Sequence, residues 1–153
     1  MYVTYKDYPS IPESLLSEAH QSLLSQDIFT SNLSVRTFGN YIATPKLQEW
    51  FRDTMIPLIG VDDIVNVQTI ISGIPIHKDR NRNLALNYII DPGGADVITS
   101  FYEDQVDSRP GYCLVPVEEY KIIPHVWHEL RTDVFHGVSG LTSKRIAVSF
   151  RLL

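Results

Sequence analysis

From Val65 onward the chain is a series of short β-branched and aromatic runs cut by Gly, Pro, Asp and Asn, and few folds accept that texture. Strands are expected at about Val65–Ile71, Ile74–Lys78, Leu84–Ile90, Asp96–Tyr102, Tyr112–Val117, Val126–Leu130, Asp133–Val138 and Lys144–Leu152. Asp91-Pro92-Gly93-Gly94 and Ser108-Arg109-Pro110-Gly111 are strong turn signals between them. Closely spaced short strands with no helical pattern between them argue for an antiparallel sandwich or barrel.

The first sixty residues read as mainly helical support packed outside that β unit. Ser10-Ile11-Pro12-Glu13 is a helix start, with a capping Ser, a Pro in the first turn and Glu three residues after the cap. Leu15, Leu16, Ala19, Leu23 and Leu24 follow at helical spacing. Thr44-Pro45 starts a second helix whose Leu47, Trp50, Phe51 and Met55 share a face, with Pro57 and Gly60 ending it. These stripes read as core. With no repeat, linker or low-complexity segment, residues 1–153 are expected to form one domain.

Composition narrows the chemistry. The chain of 153 residues has one cysteine, Cys113, and a net charge of −5. A lone cysteine builds neither an internal disulfide nor a Cys-rich zinc site, so any metal must be held by His, Asp or Glu. The acidic balance lacks the basic face of a nucleic-acid binder, although a small basic patch is compatible with it. No stretch approaches the ~20 apolar residues of a membrane span, and MYVTYKDYPS lacks the pattern of a signal peptide. A soluble, cytoplasmic protein is expected.

His77-Lys78-Asp79 ends an alternating strand, where residues two apart point to the same side. Downstream, His136 lies in Val134-Phe135-His136-Gly137-Val138, which closes in a Gly/Ser turn, and Arg145 opens the last strand. Two His and one Asp form the facial triad that holds non-haem iron(II) and leaves positions open. Arginine adds a fixed fork for a carboxylate.

The order His77-x-Asp79, His136 fifty-nine residues after His77, and Arg145 nine residues later resembles the iron(II)/2-oxoglutarate-dependent oxygenases, within them the prolyl-hydroxylase-like branch. The resemblance covers the region from about Val65 to Leu153. It implies a mainly β fold, a double-stranded β-helix (a cupin-like jelly roll) of eight strands in two sheets. That agrees with the eight runs counted above.

Carried over residue by residue, the resemblance implies that His77, Asp79 and His136 ligate iron and that Arg145 pairs with the distal carboxylate of 2-oxoglutarate. Ser149 shares the strand parity of Arg145 and is expected to help bind the same group. Ala147 replaces a Ser that many relatives carry. In Leu84–Ile90, Asn87 and Tyr88 point to opposite faces, so only one can reach the cosubstrate. Asn87 is favoured because a buried amide needs a partner. Arg151 is the rival of Arg145, and His125 and His128 are the rivals of His136. His20 reads as an ordinary helix residue.

Arg82, Tyr102 and Trp127 are the candidate substrate contacts, together with Tyr112; the basic cluster Lys78, Arg80, Arg82 reads either as recruitment of an anionic substrate or as a solvated loop. Cys113 reads as buried and inert. The implied activity is an iron(II)- and 2-oxoglutarate-dependent dioxygenase that uses O2. It would hydroxylate a C–H bond of a protein or peptide residue, such as proline, or of a small molecule, releasing succinate and carbon dioxide. The alternative is a non-oxidative cupin-like jelly roll that binds a metal or ligand. Arg145 discriminates, because a bare metal site needs no buried cation there.

Overall fold

The computed structural model describes residues 1–30, 38–103 and 115–152, with backbone alone over 22–30. Ten strands lie in two antiparallel sheets. In chain order they are β1 (Val3–Tyr5), β2 (Phe38–Ile42), β3 (Asn66–Ile70), β4 (Ile74–His77), β5 (Leu84–Asp91), β6 (Ile98–Tyr102), β7 (Glu118–Tyr120), β8 (His128–Arg131), β9 (Phe135–Ser139) and β10 (Arg145–Leu152). The larger sheet runs β1-β8-β5-β10-β3-β2 and the smaller β4-β9-β6-β7. From β3 onward the chain shuttles between the two sheets, which is the winding of a double-stranded β-helix.

Two features depart from the sequence expectation. The first sixty residues contribute β1 and β2 as well as helices, at opposite edges of the larger sheet. β1 takes its ladder from β8, with Val3 opposite Leu130, and β2 takes its ladder from β3, with Asn40 opposite Gln68. Both are specified by distant partners, which local propensity does not register. The first half of the strand expected at Tyr112–Val117 lies outside the described residues, Tyr112 and Cys113 among them; residues 115–117 are not strand, and the observed strand is Glu118–Tyr120.

The helices are α1 (Glu13–Thr30), α2 (Pro45–Trp50) and α3 (Ile56–Ile59), the last two joined by a π-helical turn over Phe51–Met55. The Leu47 N–H donates to the Thr44 hydroxyl at 3.4 Å, Pro45 opens the first turn, and Gly60 ends the run in a left-handed conformation. Gln48 fixes this unit to the sheet: its amide donates to the Val65 carbonyl at 2.6 Å and accepts from the Val65 N–H at 3.1 Å. Among the described residues no helix is long and apolar enough to cross a membrane.

Strand alternation divides the larger sheet into two faces. Leu86, Tyr88, Val148 and Phe150 pack with Leu16, Ala19, Leu47, Phe51 and Met55 in the core beneath the helices. The opposite parity of β5, β8 and β10 therefore faces the smaller sheet. Its inner end is apolar, with Val3, Ile89, Phe101, Ile122 and Leu130 packed together. Its outer end is a cavity.

Candidate metal centre and its cavity

The two histidines come together through strand pairing: His77, ending β4, is the register partner of His136 on β9, with ring centroids 4.4 Å apart. Each imidazole is oriented from behind. Nδ1 of His77 donates to the Pro75 carbonyl at 2.9 Å and Nδ1 of His136 to the Val134 carbonyl at 2.8 Å. A carbonyl only accepts, so both protons sit on Nδ1 and both Nε2 lone pairs are available.

Asp79 completes the set two residues past His77, with its Oδ1 3.3 Å from His77 Nε2. One donor atom from each of His77, Asp79 and His136 lies within 4.8 Å of the others. Such a cluster could hold a metal ion, and the donor set of two imidazoles and a carboxylate suits a transition metal with open positions. Only a protonated His77 can donate from Nε2 to the Asp79 carboxylate, and that hydrogen bond raises the His77 pKa, whereas burial lowers that of His136. Burial works against the charge of Asp79, but His77 and Arg82 outweigh it and hold its carboxyl at about 2.

The triad lines a cavity of about 900 Å³ between the sheets. Arg145 lines the same cavity and is only 7% exposed, yet no carboxylate pairs with it among the described residues. Its Nη1 donates to the Thr99 hydroxyl at 3.4 Å. Burial pushes its pKa down to about 10, which still leaves a cation at neutral pH. A buried, unpaired guanidinium is costly, and an anionic ligand would offset that cost.

Other sequence candidates separate by strand parity. Asn87 lines the cavity with Oδ1 buried and unsatisfied, whereas Tyr88 is buried in the helix-side core. Ser149 is buried, and its hydroxyl accepts from Arg82 Nη1 at 3.4 Å. Arg82 lines the cavity and pairs with the Asp79 carboxylate.

Trp127 does not line the cavity. It precedes β8, packs against Phe51 and Tyr88 under the helices, and donates its indole N–H to the Pro9 carbonyl at 2.8 Å. Tyr102 ends β6 with parity opposite to the cavity-lining Thr99, so it too is off the cavity wall. Arg151 sits at the mouth and pairs with Asp63 at 2.9 Å. His125 is exposed and bonded to the Ile90 carbonyl; His128 is fully buried beside Asn87; neither joins the triad.

Sequence reasoning missed Thr99, Thr132, Asn66 and Gln68, all on the cavity wall. The last two carried a signal, since polar residues alternate there in a run otherwise apolar. Thr132 carried none, because its role depends on a loop fifty residues earlier.

No family model matches the sequence, and no curated protein matches it. Solved structures do. AviO1 from Streptomyces viridochromogenes Tue57 is 11% identical, with a TM-score of 0.57 over 99% of this chain and 90% of that one. A Pseudomonas putida prolyl-4-hydroxylase is 12% identical, with a TM-score of 0.52 over 98% and 92%. EvdMO1 is 15% identical at a TM-score of 0.48, and the chain spans 47% of its length. At these identities the likeness is one of fold alone: the chain shares the double-stranded β-helix architecture of AviO1 and of the prolyl-4-hydroxylase.

Proposed function

We propose that the chain is an iron(II)- and 2-oxoglutarate-dependent dioxygenase, a single catalytic domain that hydroxylates a C–H bond. The observation that carries this reading is the presence, in one cavity, of a converging His77-Asp79-His136 triad and a buried Arg145 with no anionic partner among the described residues. A non-oxidative metal-binding jelly roll has no use for that cation.

The donor set fits iron(II), with His77 and His136 offering Nε2 and Asp79 one oxygen. When bound, the metal supplies redox activation of O2, coupled to decarboxylation of 2-oxoglutarate to succinate and carbon dioxide. Arg145 receives the distal carboxylate of the cosubstrate as a charge-assisted pair. Asn87 turns an amide toward the same cavity, and the Ser149 hydroxyl, which accepts from Arg82, still has its own proton to donate. The apolar side chains Ile70 and Ile74 along the wall limit the approach of water to the site. The primary substrate is a peptide residue such as proline or a small molecule. The net charge of −5 argues against a nucleic acid.

An anaerobic titration tests the reading. Iron(II) and 2-oxoglutarate together should give a weak visible charge-transfer band, and Arg145→Ala should shift its 2-oxoglutarate dependence to higher concentration. Folded, iron-loaded protein that gives no band would sink the assignment.

A further inference from the structure

Arg82, a candidate substrate contact by sequence, engages two side chains of the chain itself. Nε donates to Oδ2 of Asp79 in an ion pair, and Nη1 donates to the Ser149 hydroxyl at 3.4 Å. The two oxygens of Asp79 are thereby differentiated: Oδ1 faces His77 Nε2 at 3.3 Å, and Oδ2 is occupied by Arg82.

The backbone carrying both residues is fixed independently. Asp79 N–H donates to the Thr132 carbonyl at 2.9 Å, the Thr132 hydroxyl donates to the Arg82 carbonyl at 2.9 Å, and Thr132 N–H donates to the Asn83 carbonyl at 2.9 Å. Thr132 is fully buried in the turn between β8 and β9. Three hydrogen bonds from one residue thus pin the turn after β4 at both ends. Ser149 adds an anchor from β10, so the orientation of Asp79 is referred to strands of both sheets.

We propose that Arg82 is a positioning residue that holds Asp79 as a one-oxygen metal ligand, with Thr132 as the backbone anchor of the same turn and Ser149 as the second anchor of the guanidinium. This rests on the metal-site reading above and goes beyond it. A carboxylate with both oxygens free can take two coordination positions; with Oδ2 held by Arg82 it takes one, and the position saved stays open for cosubstrate or oxygen. Outer groups that orient a ligand typically carry ~10–100-fold in metal affinity.

The proposal has a sign that a simple electrostatic role does not share. Arg82 is a cation beside the site, so if charge were its only influence, removing it would tighten binding of a divalent ion. If it orients Asp79, removing it weakens binding.

Cobalt(II), an oxygen-stable probe with visible absorption, is titrated into metal-stripped wild type, Arg82→Met, Arg82→Lys and Thr132→Val, with thermal midpoints recorded for each apo-protein. Weaker cobalt binding, by ~10-fold or more in Arg82→Met, is expected. Arg82→Lys should recover it only in part, because a point donor cannot span Asp79 and Ser149 together. Thr132→Val should weaken binding by a smaller factor. The absorption change on adding 2-oxoglutarate to the cobalt protein should shrink in Arg82→Met as Asp79 closes the open position. Equal or tighter binding in a folded Arg82→Met overturns the proposal while leaving the metal site intact. Absence of cobalt binding by wild type overturns both. If Arg82→Met does not fold, the comparison of Arg82→Lys with wild type decides, and full-strength binding by Arg82→Lys counts against the positioning role.

Discussion

Asn87 and His128 are cross-strand partners on β5 and β8, and each buries a polar atom, Oδ1 of the amide and Nε2 of the imidazole, with no hydrogen-bond partner among the described residues. Both lie on the sheet face that carries Arg145 and Ser149. That face thus concentrates unsatisfied groups in an otherwise well-satisfied interior, the pattern expected where a ligand or ordered water completes a site.

Acid should act on the fold through His128. Burial, aided by the nearby charge of Arg145 and opposed by its bond to the Val126 carbonyl, pushes this imidazole down to about 4. The unfolded chain takes up the same proton near the ordinary value of 6.5. Between these values the unfolded state binds more protons, so the contribution is intact above pH 6.5 and is lost as pH falls toward 4. The loss is roughly 3 kcal/mol at most. Urea unfolding between pH 4 and 7 should show a stability slope in wild type that is flatter in His128→Gln. Parallel slopes would exclude this residue as the cause.

Replacing Arg145 should separate binding from stability. The guanidinium is buried without a carboxylate partner among the described residues, so Arg145→Met removes a desolvated charge while keeping much of the packing volume. The thermal midpoint is expected to stay level or rise. Affinity for 2-oxoglutarate should fall ~30-fold or more, about 2 kcal/mol, as a charge-assisted pair is lost. Equilibrium dialysis beside a melting curve reads both. A large fall in stability with unchanged affinity would assign Arg145 a structural role instead.

The alternation of Leu84–Ile90 and Lys144–Leu152 made much of this legible, because period-two parity alone puts Asn87 opposite Tyr88 and aligns Arg145 with Ser149. Thr44-Pro45 and Gly60 likewise mark a helix by local chemistry. β2 was not readable in this way: Gly39 and Asn40 are poor strand formers, and only pairing with β3 makes them a strand. The engagement of Arg82 by Asp79 was hidden for a related reason. Sequence shows a basic side chain three residues past a carboxylate, but whether it meets solvent, substrate or that carboxylate is decided by how Thr132 folds the turn.

Trp127 provides a test of where aromatic side chains act. Its ring is fully buried against Phe51 and Tyr88, so Trp127→Ala should cost ~3–5 kcal/mol of stability. Trp127→Phe, which loses the bond to Pro9, should cost less. Half-buried Tyr102 at the end of β6 should tolerate Tyr102→Phe within about 0.5 kcal/mol. Chemical denaturation gives all three values. A Trp127→Phe protein of wild-type stability but impaired substrate binding would return Trp127 to the site.

Metal binding should be visible as stabilisation without any knowledge of the substrate. A divalent ion that binds the folded triad and not the unfolded chain adds about 2.7 kcal/mol at a hundred times its dissociation constant. For a domain of this size that is roughly 5–10 °C in the melting midpoint. Cobalt(II) or manganese(II) should therefore raise the midpoint of wild type by that order. His77→Ala, Asp79→Ala and His136→Ala should each abolish the shift, since each removes one of three donors that lie within 4.8 Å of one another. His125→Ala should preserve it, because that imidazole is exposed and bonded to the Ile90 carbonyl. His128→Ala should also respond to metal, from a lower starting midpoint. A shift that survives His136→Ala but not His128→Ala would move the third ligand from β9 to β8.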